Sequence, residues 1–200
     1  MKGSYDRGFL GLQTLISAGI RPQVIMAVAD RNKDDMEDLA RFAQQMGAGS
    51  VKYNFVTPTA RGGVMDTEGA TVSVPEQIAL ARWVQDDLQK KLTIPLMTNL
   101  PYAFRSLSSI YGPDGNCGRC GIFSILGVLS DGTYALCGIG SHMPELCFGH
   151  AARDTLKDIW ESSEVLRSIR VHLPSDLKGI CSRCLVKNLC IGHCIANNYY

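Results

Sequence analysis

The stretch Cys181-Ser182-Arg183-Cys184-Leu185-Val186-Lys187-Asn188-Leu189-Cys190-Ile191-Gly192-His193-Cys194 decides how the rest of this 200-residue chain is read. Its cysteines follow the spacing C-x2-C-x5-C-x3-C. Two residues between cysteines let one tight turn aim both sulfurs at a common centre, and the longer gaps add thiolates from the same compact loop. Packed thiolates repel one another, so a cationic metal centre must offset their charge. Iron held with sulfide is favoured over zinc: C-x2-C pairs also build zinc knuckles, but C-x5-C-x3-C is not a usual zinc arrangement. Disulfides rank last, because they need an oxidising compartment and Met1-Lys2-Gly3-Ser4-Tyr5-Asp6 lacks the apolar core of an export signal.

All eight cysteines lie beyond residue 116. Cys117-Gly118-Arg119-Cys120 repeats the C-x2-C spacing. After it, Ile122–Leu129, the turn Ser130-Asp131-Gly132 and Thr133–Cys137 read as a β-hairpin that presents the Cys137 thiolate at a strand end. Cys147, between Leu146 and Phe148, reads as a buried structural cysteine. Asp154 is placed to cap a helix through Leu156, Ile159 and Trp160, extending to Val165 and Ile169. Leu177–Tyr200 reads as a cysteine-dominated loop ending in a short helix. His193 either donates a hydrogen bond toward cluster sulfur or is simply exposed. His142, His150 and His172 have no ligand-like neighbours in sequence.

The first hundred residues contain no cysteine and alternate helix with strand. Phe9, Leu12, Leu15 and Ile16 form an apolar helical stripe, opened by Ser4 or Asp6 and closed by Gly19. Gln23–Ala29 is a nearly continuous apolar run, the pattern of a strand buried on both faces. Asn32 is a plausible cap for a helix carrying Met36, Leu39, Phe42, Ala43 and Met46, which stops at Gly47. Ser50–Val56 is a second strand. Thr57–Val72 reads as a turn-rich loop, and Ser73-Val74-Pro75-Glu76 as a capping box with an early-turn proline, opening a helix to about Lys91. Leu92–Leu100 gives a third, short strand interrupted by Pro95. Short loops between alternating elements imply a parallel sheet. Tyr102–Asn116, rich in serine and glycine, reads as a linker.

Hydrophobic residues make up 46% of the chain and charged residues 20%, ordinary values for a globular protein. A net charge of +1 gives no electrostatic reason to expect nucleic acid or a membrane surface as partner. The longest apolar run, Ile122–Leu129, is too short to span a bilayer. The expectation is a soluble, cytoplasmic protein. Asp34-Asp35 and Asp86-Asp87 fall on outer helix faces, and Arg61 reads as a solvated loop arginine or an anion contact.

The order Cys120…Gly132-x4-Cys137, followed by C-x2-C-x5-C-x3-C, resembles the SPASM domain of radical S-adenosylmethionine (SAM) enzymes over residues 117–200. The preceding part is similar to the second half of a radical SAM barrel. Gly3-Ser4-Tyr5-Asp6-Arg7, Ala18-Gly19-Ile20, Asn32, and Val51–Val56 followed by Pro58 and Gly62 stand in the order of that family's segments. The resemblance implies an α/β fold: half of a partial (β/α) barrel over residues 1–100, a linker over 101–116, and a small cysteine-rich α+β domain over 117–200.

By the same resemblance, auxiliary 4Fe–4S clusters are the cofactors. Cys117, Cys120, Cys137 and Cys194 match the ligands of a first cluster, and Cys181, Cys184 and Cys190 match three ligands of a second. Asn54 and Val56 match positions beside SAM in a full-length enzyme, although ordinary sheet packing explains them as well. The implied partners are a peptide or protein substrate and an electron donor such as flavodoxin or ferredoxin, with no nucleic acid and no membrane. No C-x3-C-x2-C motif precedes Cys117, so the resemblance implies the C-terminal portion of a longer enzyme, inactive and metastable by itself. The alternative of another class is a non-catalytic iron–sulfur or zinc module for electron transfer or partner binding.

Overall fold

Helices and strands alternate through the first hundred residues and build a parallel sheet, as their spacing predicts. The computed structural model describes residues 3–59, 61–112, 120–138 and 142–196. The chain divides into two units, Met1–Leu100 and Pro101–Tyr200.

In the first unit, helix α1 (Ser4–Ser17) precedes strand β1 (Gln23–Val28), helix α2 (Met36–Met46) and strand β2 (Ser50–Phe55). Helices α3 (Arg61–Thr67) and α4 (Val74–Trp83) then lead to strand β3 (Leu96–Thr98). The strands pair parallel in the order β1-β2-β3, with Val24 opposite Val51, Met26 opposite Tyr53 and Val28 opposite Phe55. These residues share one face and join Met36, Ala40, Ala43, Val84 and Leu88 in a single core. Each fully buried aliphatic or aromatic side chain stabilises by about 1.5–3 kcal/mol. Asn99 continues the ladder past β3: its Oδ1 accepts from Phe55 N at 2.9 Å and its own N–H donates to Tyr53 O at 3.1 Å.

Several local expectations need correction. Strand β1 is not buried on both faces, because it is an edge strand with only one face under the helices; Ile25 is 58% exposed. Within 57–72 the chain forms α3, which Gly69 ends in a left-handed conformation. Asn32 sits inside a 3-10 turn (Asp30–Asp35) rather than before the helix, and reaches back so that its Oδ1 accepts from Ala29 N at 2.8 Å. The Ser73 capping box does not form: no side chain caps this helix, and Glu76 instead binds Lys33 at 2.6 Å. The helical run still ends at Lys91, passing through a π turn (Val84–Leu88) and a 3-10 turn (Gln89–Lys91).

In the second unit, helix α5 (Leu107–Tyr111) follows a 3-10 turn at Tyr102–Phe104, so this part of the stretch read as a linker is structured. Tyr102 and Ile110 are buried with Val186 in a small core of their own. Strands β4 (Gly127–Val128), β5 (Thr133–Ala135) and β6 (Cys147–His150) make an antiparallel sheet in that order. The Asp-Gly turn forms as read, with Gly132 at φ 90°. Helices α6 (Leu156–Ser162) and α7 (Glu164–His172) cover the larger core of Tyr134, Leu136, Leu146, Ile159, Leu166 and Ile169. Thr155 caps α6, its hydroxyl accepting from Asp158 N at 3.1 Å. Asp154 is not the cap, because its carboxylate is taken by His150 N at 2.7 Å. Ser163 ends α6 and caps α7, splitting the single helix expected there. Helices α8 (Gly179–Ser182) and α9 (Lys187–Cys190) carry the last cysteines. No helix among the described residues is long and apolar enough to cross a membrane.

Candidate metal centre

Helices α8 and α9 each place a cysteine in their last turn or at their end. The Cys184 N–H donates to Cys181 O at 3.3 Å, closing the tight turn that C-x2-C spacing requires. Cys184 and Cys190 pack against the small core of Tyr102, Ile110 and Val186. Beyond Cys190 the chain reverses. Ile191, Gly192 and His193 lie at φ 50°, 83° and 65°, three successive residues in the left-handed region. A β-branched residue there is a genuine outlier, and Ile191 is held in place by burial, at 1% exposure. The reversal carries Cys194 away from Cys190 and into the larger core, where Cys137 also packs.

Cys120 meets these two. Its thiol is pushed up from the ordinary value first by desolvation and then by the neighbouring Cys194 and Cys137, against a backbone hydrogen bond from Ile122 that lowers it. Neighbouring thiolates repel one another, and a bound cation would offset that charge. Cys120 thus lies near enough to Cys137 and Cys194, from two other segments, to feel their charge, while Cys184 and Cys190 pack against another core. Cys181 is half-buried in the turn before Cys184. Cys117 lies outside the described residues. Cys147 is half-buried on β6, opposite Ala135.

Cys120, Cys137, Cys181, Cys184, Cys190 and Cys194 are free thiols, not disulfides. No three His, Cys, Asp or Glu side chains among the described residues form a site for one metal ion. A cluster places each thiolate on a different iron, so its ligands need not share one centre. An all-thiol donor set in two groups fits iron–sulfur chemistry.

Elsewhere, Asn54 lies on β2, opposite Ala27, and its Oδ1 is buried without a partner. The Val56 N–H donates to Val28 O at 3.0 Å, so this donor is already used by the sheet. Arg61 is exposed at the start of α3. His142 is exposed, and His172 pairs with Asp176 at 2.6 Å. Reasoning from sequence missed β6 and the role of its last residue, His150. The apolar signal of β6 is short and interrupted by Gly149, so only pairing with β5 reveals it.

Residues 117–185 match the SPASM family, an iron–sulfur cluster-binding domain. Over its whole length the chain is also 28% identical to an AdoMet-dependent heme synthase of Methanosarcina barkeri and 25% identical to the mycofactocin maturase MftC of Mycolicibacterium smegmatis. It spans 58% and 49% of the lengths of these relatives. No solved structure matches it. The resemblance to radical SAM/SPASM enzymes, first drawn from cysteine spacing, is thereby upheld. Cys190 and Cys194 lie past the SPASM match, and their placement rests on the left-handed turn between them.

Proposed function

We propose that this SPASM chain serves as the C-terminal portion of a radical SAM enzyme, binding auxiliary 4Fe–4S clusters that support radical modification of a peptide or protein substrate. The observation that carries the reading is the match of residues 117–185 to an iron–sulfur cluster-binding domain, supported by Cys137 and Cys194 packing in one core and Cys184 and Cys190 in another. Cys117, Cys120, Cys137 and Cys194 would hold one cluster, and Cys181, Cys184 and Cys190 the other. When bound, such clusters pass single electrons. The chain's own residues set the surroundings. Leu136, Ile191 and Ile195 belong to the apolar core against which Cys137 and Cys194 pack, and Tyr102, Ile110 and Val186 form the one against which Cys184 and Cys190 pack, surroundings that would tune potential.

The first unit is read as the second half of a partial (β/α) barrel. Its parallel order and intervening helices support this, as does a second sheet face bearing Ser50, Lys52 and Asn54, away from the core. Asn54 and Val56 would stand beside SAM in the full-length enzyme. The buried, unpartnered Asn54 Oδ1 near the carboxyl end of the central strand supports that placement, since open α/β sheets take ligands there. A peptide substrate accords with the name of the maturase relative, and flavodoxin or ferredoxin would supply electrons. Anaerobic reconstitution with iron and sulfide tests the reading. Iron and acid-labile sulfide should bind in equal amounts; tight zinc without labile sulfide would overturn it.

A further inference from the structure

The β5 strand that delivers Cys137 is three residues long, and β4 beside it only two. In so short a ladder a slip of one residue would turn every side chain to the other face, and buried Tyr134 and Leu136 oppose that slip. The ladder also carries an irregularity. Tyr134 pairs with Gly149, but Ala135 pairs with Cys147, leaving Phe148 as the extra residue of a bulge. At the turn end of the ladder, contacts outside it add to what holds the register.

His150 is placed to make them. It stands opposite Thr133 at the end of β6. Its Nε2 lies 2.8 Å from Asp131 O, and a carbonyl can only accept, so Nε2 carries the proton. Its Nδ1 lies 3.1 Å from Ala152 N, an N–H that can only donate, so Nδ1 accepts. One ring therefore ties the hairpin turn to the chain leaving β6. The Ala151 N–H adds a bond to Gly132 O at 2.8 Å, and the His150 N–H is anchored on Asp154 at 2.7 Å. The ring occupies the space a side chain at position 132 would need: a Cβ on Gly132 would meet His150 Cε1 at 2.9 Å and Nε2 at 3.0 Å. Gly132 is required twice, by its φ of 90° and by this ring.

We infer that His150, seated on Gly132, is a positioning residue for the iron site: it locks the β5–β6 register and so sets where the Cys137 thiolate stands. The inference rests on the cluster reading above. It is tested in the full chain after anaerobic reconstitution, by iron and sulfide content, resistance to a chelator, and the EPR spectrum of the reduced protein. His150→Ala should retain its far-UV circular dichroism but lose iron from one of its centres to chelator on the order of 10- to 100-fold more readily than the parent, with an altered EPR signal. Gly132→Ala should do the same. In a Gly132→Ala/His150→Ala double variant the added methyl has no ring to strike, so the combined loss should be smaller than the two single losses together. The inference is overturned if His150→Ala matches the parent in chelator resistance and EPR, or if the two losses simply add. A parent chain that takes up no iron and sulfide would instead remove the cluster reading, and this inference with it; that outcome shows in the parent alone.

Discussion

Tyr53 shows how one side chain joins packing to hydrogen bonding. It is fully buried under α2, and its hydroxyl donates to Met36 O at 2.7 Å. Burial, with a smaller contribution from the Glu37 charge, raises its pKa above the usual phenol value. A raised folded-state pKa means the folded chain holds the proton more tightly. The resulting stability is complete below the unfolded value of about pH 10 and is lost as pH rises through the folded one. Tyr53→Phe should cost roughly 1–3 kcal/mol at neutral pH, read from urea unfolding. It should also flatten the loss of stability above about pH 10. A variant that unfolds in alkali as steeply as its parent would refute this. That Ser50–Val56 forms a strand was legible in sequence; that Val51, Tyr53 and Phe55 are its covered face shows only in the sheet. The hydrogen-bond partner of Asn32 was not legible either. Both a helix cap and a 3-10 turn suit asparagine, and the choice depends on where β1 ends.

Among the elements, the reversal at Ile191–His193 has the largest consequence for the thiols. A Cβ on Gly192 would meet Leu177 Cδ2 at 2.9 Å, and φ is 83°. Gly192→Ala should cost about 1–2 kcal/mol through the left-handed penalty alone. It should lower retained iron after reconstitution, because Cys194 can no longer hold its place; unchanged iron would count against a positioning role for this turn. The misread caps share one cause. Glu76 and Asp154 carry the right chemistry for helix starts, but Lys33 claims the first and the His150 N–H the second. A cap motif offers only one use for its carboxylate, and a partner of stronger charge or better geometry, near or far in sequence, takes it instead.

At the scale of the whole molecule, the two thiol groups make a separable prediction. Cys137→Ser and Cys184→Ser should each remove about half the bound iron and sulfide, and the double variant nearly all. Cys147→Ser should leave both unchanged. Total loss from either single change would instead mean one shared centre, and metal and sulfide counting on the reconstituted chain decides. The sequence by itself determined the chemistry: closely spaced thiols in an otherwise ordinary chain, and a parallel α/β sheet before them. Both are legible because ligand spacing and hydrophobic period act over a few residues. The family resemblance already implied a grouping of the sulfurs; only the tertiary structure shows how neighbours in sequence come to part. Cys190 and Cys194 are four positions apart in sequence yet pack in different cores, because a buried left-handed turn lies between them, and such a turn is held by packing from far along the chain.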